Sequence, residues 1–245
     1  MKNSESYKMR PKLTLGVLGG MGPAATADFM LLLSKKAPAS CDQEHPETII
    51  YSNTITPDRT SYLLGTGPSP SAEIKRGIEA LYKWGADVLA VPCNTAHYFL
   101  DELISEGLMP LHLIHIIQET IKAAVRVSPN GAWLTATMGT IKTGLYQKHA
   151  EALGYTFRIP SQEQNERIQR TIDLVKSNDY EKSGKLYKGI IEELWSNEKL
   201  PIVCACTELP IAYDYTGLDK NPAISSLHAL ADACIEHLYN PENNK

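Results

Sequence analysis

Asp87-Val88-Leu89-Ala90-Val91-Pro92-Cys93-Asn94-Thr95 and Leu200-Pro201-Ile202-Val203-Cys204-Ala205-Cys206-Thr207-Glu208 are the two stretches whose reading decides the fold. Each contains a short apolar run without alternation, the pattern of a strand buried on both faces of a parallel sheet. Each run ends in a thiol followed by polar residues. Each strand therefore delivers a cysteine to the carboxyl edge of its sheet, where the next helix starts. Cys93 and Cys206 stand 113 residues apart. A second pair repeats at nearly the same offset. Leu13-Thr14-Leu15-Gly16-Val17-Leu18-Gly19-Gly20-Met21-Gly22-Pro23 is a strand running into a glycine turn. Ala132-Trp133-Leu134-Thr135-Ala136-Thr137-Met138-Gly139-Thr140 is a looser echo, with Met21 and Met138 117 residues apart. Two pairs at nearly one spacing indicate two related α/β halves.

Apolar strands alternate with amphipathic helices along the rest of the chain. The pattern predicts helices over 24–36, 71–84, 95–106, 143–153, 162–177, 180–196 and 229–238, and one ending near 127. Further strands are expected over 48–53, 111–114 and 155–159. This alternation implies parallel sheets with helices on both faces, whose ligands sit at the carboxyl ends of the strands. The strongest breaker, Ser128-Pro129-Asn130-Gly131, marks the crossing between halves. Residues 1–127 with 221–245 form the first expected domain and 128–220 the second. The tail 240–245 is expected to fray.

Composition narrows the function. The chain has 245 residues, 43% of them hydrophobic and 21% charged, enough for a sizeable core. A net charge of −4 and no dense Lys/Arg run give no footprint for nucleic acid. No apolar run approaches a membrane span, and none has the flanks of a secretory signal, so a cytoplasmic protein without membrane or nucleic-acid partners is expected. In that setting the five cysteines read as reduced thiols.

Three chemistries compete for the motifs. Gly20-Met21-Gly22-Pro23-Ala24-Ala25 has the form of a dinucleotide turn, but that turn needs an acid at the end of the second strand to hold a ribose. Here the strand ends Tyr51-Ser52-Asn53. The turn's free N–H groups suit a carboxylate equally well. Cys93, His97, Cys204 and Cys206 could form a zinc tetrahedron, although a chain with this much core has little need of a structural metal. The third chemistry is acid–base work by two thiols. A sulfur at a helix start is favoured as thiolate by the dipole and free N–H groups. One thiolate takes a proton from one face of a carbon and the opposite thiol donates to the other face, inverting the centre. Cys41 and Cys234 have no polar constellation around them and read as packing residues.

Together, Gly19-Gly20-Met21-Gly22-Pro23-Ala24-Ala25-Thr26, Pro57-Asp58-Arg59-Thr60, Pro92-Cys93-Asn94-Thr95-Ala96-His97 and Cys206-Thr207-Glu208-Leu209-Pro210 resemble the aspartate/glutamate racemase family, in its aspartate racemase branch. The resemblance implies two similar α/β domains with the active site in the cleft between them. It also implies an amino-acid substrate, no cofactor, no metal, and a homodimer. By motif, Cys93 and Cys206 would be the acid/base thiols. Asn94, Thr95 and Ala96 would cradle the α-carboxylate, with Thr207 opposite. Arg59 would fork onto a side-chain carboxylate, with Lys176 as a second cation. Met21, Gly22 and Thr137 would line the cleft, while His97 and Glu208 would either orient the site or, as the favoured reading, cap helices or satisfy buried polar groups. Two departures stand out. Cys204-Ala205 occupies a position where the family usually has a glycine, and Ser225 or Ser226 stands where it often has an aspartate. The alternatives that remain are a related isomerase, hydantoin racemase or decarboxylase using the same thiols, or a non-catalytic zinc- or small-acid-binding protein.

Overall fold

The computed structural model describes residues 10–219, 223–240 and 242. Expectations for the first nine residues and for most of the tail lie outside these. The first sheet has four parallel strands in the order β2 (Thr48–Ser52), β1 (Leu15–Gly19), β3 (Val88–Ala90), β4 (His112–Ile114). The second repeats that order with β6 (Phe157–Arg158), β5 (Ala132–Ala136), β7 (Ile202–Ala205) and β8 (Ala223–Ser225), again all parallel. In each half the first and third strands lie side by side at the centre. Both are fully buried, which is why their sequences are continuous apolar runs.

The helices cover the sheets as the alternation implied. The first half carries α1 (Pro23–Lys36), α2 (Arg59–Leu64), α3 (Ser71–Lys83), α4 (His97–Ser105) and α5 (Ile116–Val127). The second carries α6 (Met138–Thr143), α7 (Leu145–Glu151), α8 (Gln162–Lys176), α9 (Tyr180–Asn197) and α10 (Leu209–Asp214). The last helix, α11 (Ser226–Tyr239), packs against α1 and α5. The chain thus leaves the first half once, at 128–131, and returns at Ser225-Ser226. A division by sheet would place β8 with the second half and only α11 with the first.

Local chemistry explains where elements depart from expectation. The helix expected over 143–153 is found as α7, and the unexpected α6 precedes it, because Gly144 takes a left-handed φ of 64° that ends one and starts the other. α11 begins before 229 because the Ser225 hydroxyl accepts from the His228 N–H. The short α2 was not expected. Asp58 caps it, accepting from the Ser61 N–H at 2.7 Å. One buried cluster joins Leu15 and Val17 of the first sheet to Leu134 and Val203 of the second through Ile117 and Leu230. The halves therefore share a core between the sheets. No helix among the described residues is long and apolar enough to cross a membrane.

Candidate active site

Both thiol turns open on one tight, largely enclosed cavity. Its wall contains Cys93, Asn94 and Thr95 from the turn after β3, Cys206, Thr207 and Glu208 from the turn after β7, and Met21 and Thr137 from the turns after β1 and β5. Asp58, Arg59 and Thr60 enter from the start of α2, and Lys176 from the end of α8. Two expected residues lie outside this wall. Gly22 lines an adjoining, more open cavity of about 270 Å³ that shares Met21, Arg59, Lys176 and Glu208 with the first. Ala96 is fully buried, its side chain packed in the core with Cys93 and Phe99.

The turn after β3 presents backbone donors. The N–H groups of Asn94, Thr95 and Ala96 find no partner among the described residues, and neither does that of Thr207 across the cleft. Such unsatisfied N–H groups at a helix start form an anion cradle. Side chains hold the cradle in place. Asn94 accepts from the Tyr146 hydroxyl at 2.6 Å and donates to the Ser226 hydroxyl at 2.9 Å, so its amide is fixed by residues of α7 and α11. Of the two departing serines, Ser226 is the one that reaches the site turn, while Ser225 caps α11. Thr95, Thr137 and Thr140 form a triangle of hydroxyls 2.9–3.1 Å apart that joins the halves. Thr207 closes the opposite side by donating to the Pro92 carbonyl at 3.2 Å.

Two cations stand at the far end. Arg59 is 7% exposed, and its guanidinium donates to the carbonyls of Met21, Thr56 and Pro57. Those bonds use three of its five N–H groups. The buried Nε has no partner among the described residues, so Nε–H and one Nη2 N–H remain for a ligand. Lys176 places its ammonium 3.8 Å from the Asp58 carboxylate. Burial works to lower the Lys176 pKa, but the charges of Glu208, Cys206 and Asp58 outweigh it and hold the ammonium above its ordinary value. Burial would likewise raise Asp58, yet hydrogen bonds from Ser61, with Lys176 and Arg59 nearby, keep its carboxyl below the usual range.

The two sulfurs have different neighbours. The Cys206 thiol donates to Glu208 Oε2 at 3.0 Å. Burial first, and the Glu208 charge second, push this thiol well above its ordinary pKa against the pull of Lys176. Glu208 occupies the N-cap position of α10, yet its side chain does not cap the helix. Its other oxygen, Oε1, is buried with no partner among the described residues. A side chain at position 22 would meet that oxygen at 2.9 Å, so the glycine leaves it room. His97, by contrast, fulfils its expected structural role. It is fully buried, and its Nδ1 bonds the Cys93 carbonyl at 2.9 Å while Nε2 accepts from the Ile116 N–H. Burial and the neighbouring His115 keep the ring neutral.

These bonds also dismantle the zinc tetrahedron. Both His97 nitrogens are occupied by backbone, and Cys204 faces the Tyr187 hydroxyl at 3.5 Å inside the second-half core. Cys234 is fully buried in the core between the sheets, while Cys41 lies at the edge of the fold, half-buried.

A model of the Asp/Glu/hydantoin racemase family matches residues 18–234. The chain belongs to this family. A racemase-type isomerase is thus the enzyme class. The broad-specificity amino-acid racemase RacX of Bacillus subtilis is 29% identical over 230 residues, covering 90% of this chain and 96% of RacX. The aspartate racemase of Picrophilus torridus superposes with a TM-score of 0.79 at 27% identity, over 94% of this chain and 97% of that one. Glutamate racemase of Francisella tularensis in complex with D-glutamate shares the fold, with a TM-score of 0.66 at 14% identity, over 97% of this chain and 84% of that one.

Several residues of the site escaped the sequence reading. Asp58 and Thr60 stood inside a quoted motif but carried no role. Tyr146 and Thr140 followed a recognised turn. The contact of Glu208 with sulfur goes against the favoured capping reading and fits the alternative in which Glu208 orients the site.

Proposed function

We propose that this racemase inverts the α-carbon of an acidic amino acid, aspartate first and glutamate second, using Cys93 and Cys206 as opposed acid and base and no cofactor. The supporting observation is that equivalent turns of two like-ordered sheets bring one thiol each to a single small cavity, which also holds Arg59 and Lys176. The α-carboxylate would sit on the N–H groups of Asn94, Thr95, Ala96 and Thr207. The remaining Arg59 donors and the Lys176 ammonium would take the side-chain carboxylate. Met21 and Thr137 shape the walls around it, and Gly22 the adjoining cavity.

In one direction the Cys93 thiolate removes the α-proton and the Cys206 thiol delivers its own proton to the opposite face. In the other direction Cys206 must begin as thiolate, and Glu208 Oε2 is placed to take its proton. The carbanion formed between these steps is met by the oriented N–H groups, which need no reorganisation as charge develops. The two sheet units serve as domains that clasp the substrate between them. Homodimerisation rests on the family resemblance alone, and a cytoplasmic setting on the sequence reading alone.

The adjoining cavity of about 270 Å³ beyond Met21 and Arg59 favours a second reading. A longer side chain has space to extend there, and RacX, a relative of this chain, is a broad-specificity racemase. Proton NMR in D2O with a panel of L- and D-amino acids, no cofactor added, tests both readings. Loss of the α-proton signal with growth of the opposite enantiomer, fastest for aspartate, is the expected result. Comparable rates for neutral side chains would replace the acidic-substrate reading with the broad one. No exchange with any amino acid would overturn both.

A further inference from the structure

Two histidines and an aspartate meet outside the cleft, drawn from three helices and both halves. Asp101 lies in α4, His115 is the N-cap of α5, and His149 belongs to α7. Asp101 Oδ1 is 2.9 Å from His115 Nε2, and Oδ2 is 2.9 Å from His149 Nε2. One ligand atom from each residue lies within 4.8 Å of the others. None of the three lines the cavity that holds the thiols. The His115 side chain is 6% exposed, whereas His149 at 21% and Asp101 at 32% leave a way in from solvent.

We propose that Asp101, His115 and His149 bind one divalent transition-metal ion of the zinc type, with water in the fourth position, fastening α7 of the second half to α4 and α5 of the first. Two neutral imidazoles and one carboxylate are the donor set that such ions take, while magnesium and calcium prefer oxygen alone. Bond lengths of about 2.0–2.2 Å require the three side chains to turn inward by roughly an ångström. The metal takes the place of the protons on the two Nε2 atoms, and each ring becomes the Nδ1–H tautomer through exchange with solvent. His115 gives up a Gln118 N–H contact at 3.5 Å, which is at the weak limit for a hydrogen bond. The His149 Nδ1 has no partner among the described residues to lose.

The ion would be felt at the cleft without entering it. The His115 ring stands edge-on to His97 at 4.6 Å, and His97 holds the Cys93 carbonyl. Metal binding would therefore stiffen the floor of one thiol turn and tie down the helix that carries Tyr146, the residue bonded to Asn94.

The test uses the full chain, stripped with a chelator and titrated with Zn2+ by calorimetry and with Co2+ by absorption spectroscopy. Because the cleft thiols can also take these ions, the titrations are run on Cys93→Ser/Cys206→Ser. One ion per chain, Co2+ bands without thiolate charge transfer, and a melting temperature raised by Zn2+ are expected. Adding His149→Ala should weaken binding by more than about tenfold, since even outer-shell partners are worth that much. Asp101→Asn, which keeps the shape and the hydrogen-bonding oxygen, should do the same if the alanine variant fails to fold. No binding to the double-serine protein, or binding unchanged by the Asp101 and His149 substitutions, would overturn the site.

Discussion

Cys93 and Cys206 occupy equivalent turns of two sheets with the same strand order, yet their sulfurs have different neighbours. Two residues after Cys206 stands Glu208, whose carboxylate accepts the thiol proton's hydrogen bond. Two residues after Cys93 stands Thr95, whose hydroxyl turns away to Thr137 and Thr140. Two residues before Cys206 is a third thiol, Cys204, where Val91 precedes Cys93. The backbone of the two halves is repeated, but the electrostatics are not. One turn presents its thiol hydrogen-bonded to a carboxylate, and the other has a threonine in the matching place. In the proposed two-thiol reaction, this asymmetry would put the two protons in the charge of different groups.

The comparison breaks outright if either sulfur is dispensable. Cys93→Ala and Cys206→Ala should each cut racemisation by about 10³-fold or more, the scale of a lost acid or base. Each should still exchange the α-proton of one enantiomer in D2O, and the two variants should favour opposite enantiomers. Near-normal turnover in either would end the two-thiol reading.

Glu208→Gln sharpens the difference between the turns. It keeps the size of the side chain and removes the charge. We expect kcat to fall by about 10–100-fold with KM nearly unchanged. Alkylation of Cys206, followed by mass spectrometry, should at the same time become faster at neutral pH, because the Glu208 charge is one of the causes that raise this thiol. Slower turnover with a more reactive sulfur is a pair of signs that mere loosening of the cleft would not give. Unchanged pH–rate profiles would remove Glu208 from the proton path.

Smaller effects probe how the halves are held. Thr207→Val removes the bond to the Pro92 carbonyl and should cost about 1 kcal/mol in urea unfolding. The smallest effect concerns Cys204. Burial raises this thiol from 9.0 to about 12. A group raised on folding stabilises the native state below its unfolded pKa, and that contribution is lost as pH rises through the folded value. Stability should thus decline between about pH 9 and 12, and Cys204→Val, which gives the second half the residue of the first, should flatten that decline in urea midpoints measured against pH.

Much of this was legible in the sequence because buried parallel strands leave continuous apolar runs, and a duplicated unit leaves the same run twice. The central strands β1, β3, β5 and β7, and the meeting of Cys93 with Cys206, follow from that. Some short elements did not emerge. α2 has six residues and β8 three, and α2 is set by the Asp58 cap and by packing of Thr60 and Leu63 near Gly139. Gly144 was visible as a residue, but the helix pattern ran through it. The engagement of Arg59 was hidden for a different reason: three of its donors are held by backbone carbonyls, which carry no sequence signature. Asn94 and Ser226 are 132 residues apart, a distance no local pattern spans.

The return of the chain at Ser225-Ser226 has a mechanical consequence. A body tied to its neighbour by one tether can tumble, but one tied at two points can swing only about the line through them. The segment 128–131 and the Ser225-Ser226 step are those points. The second lies beside the Asn94 turn, since Ser226 is bonded to it. The pivot therefore sits next to the floor of the cavity. Opening the cleft to admit an amino acid would have to part α2 from α6 and break the Lys142 bond to the Leu63 carbonyl at the far end, while the Ser226 bond keeps the Asn94 turn tied to the pivot.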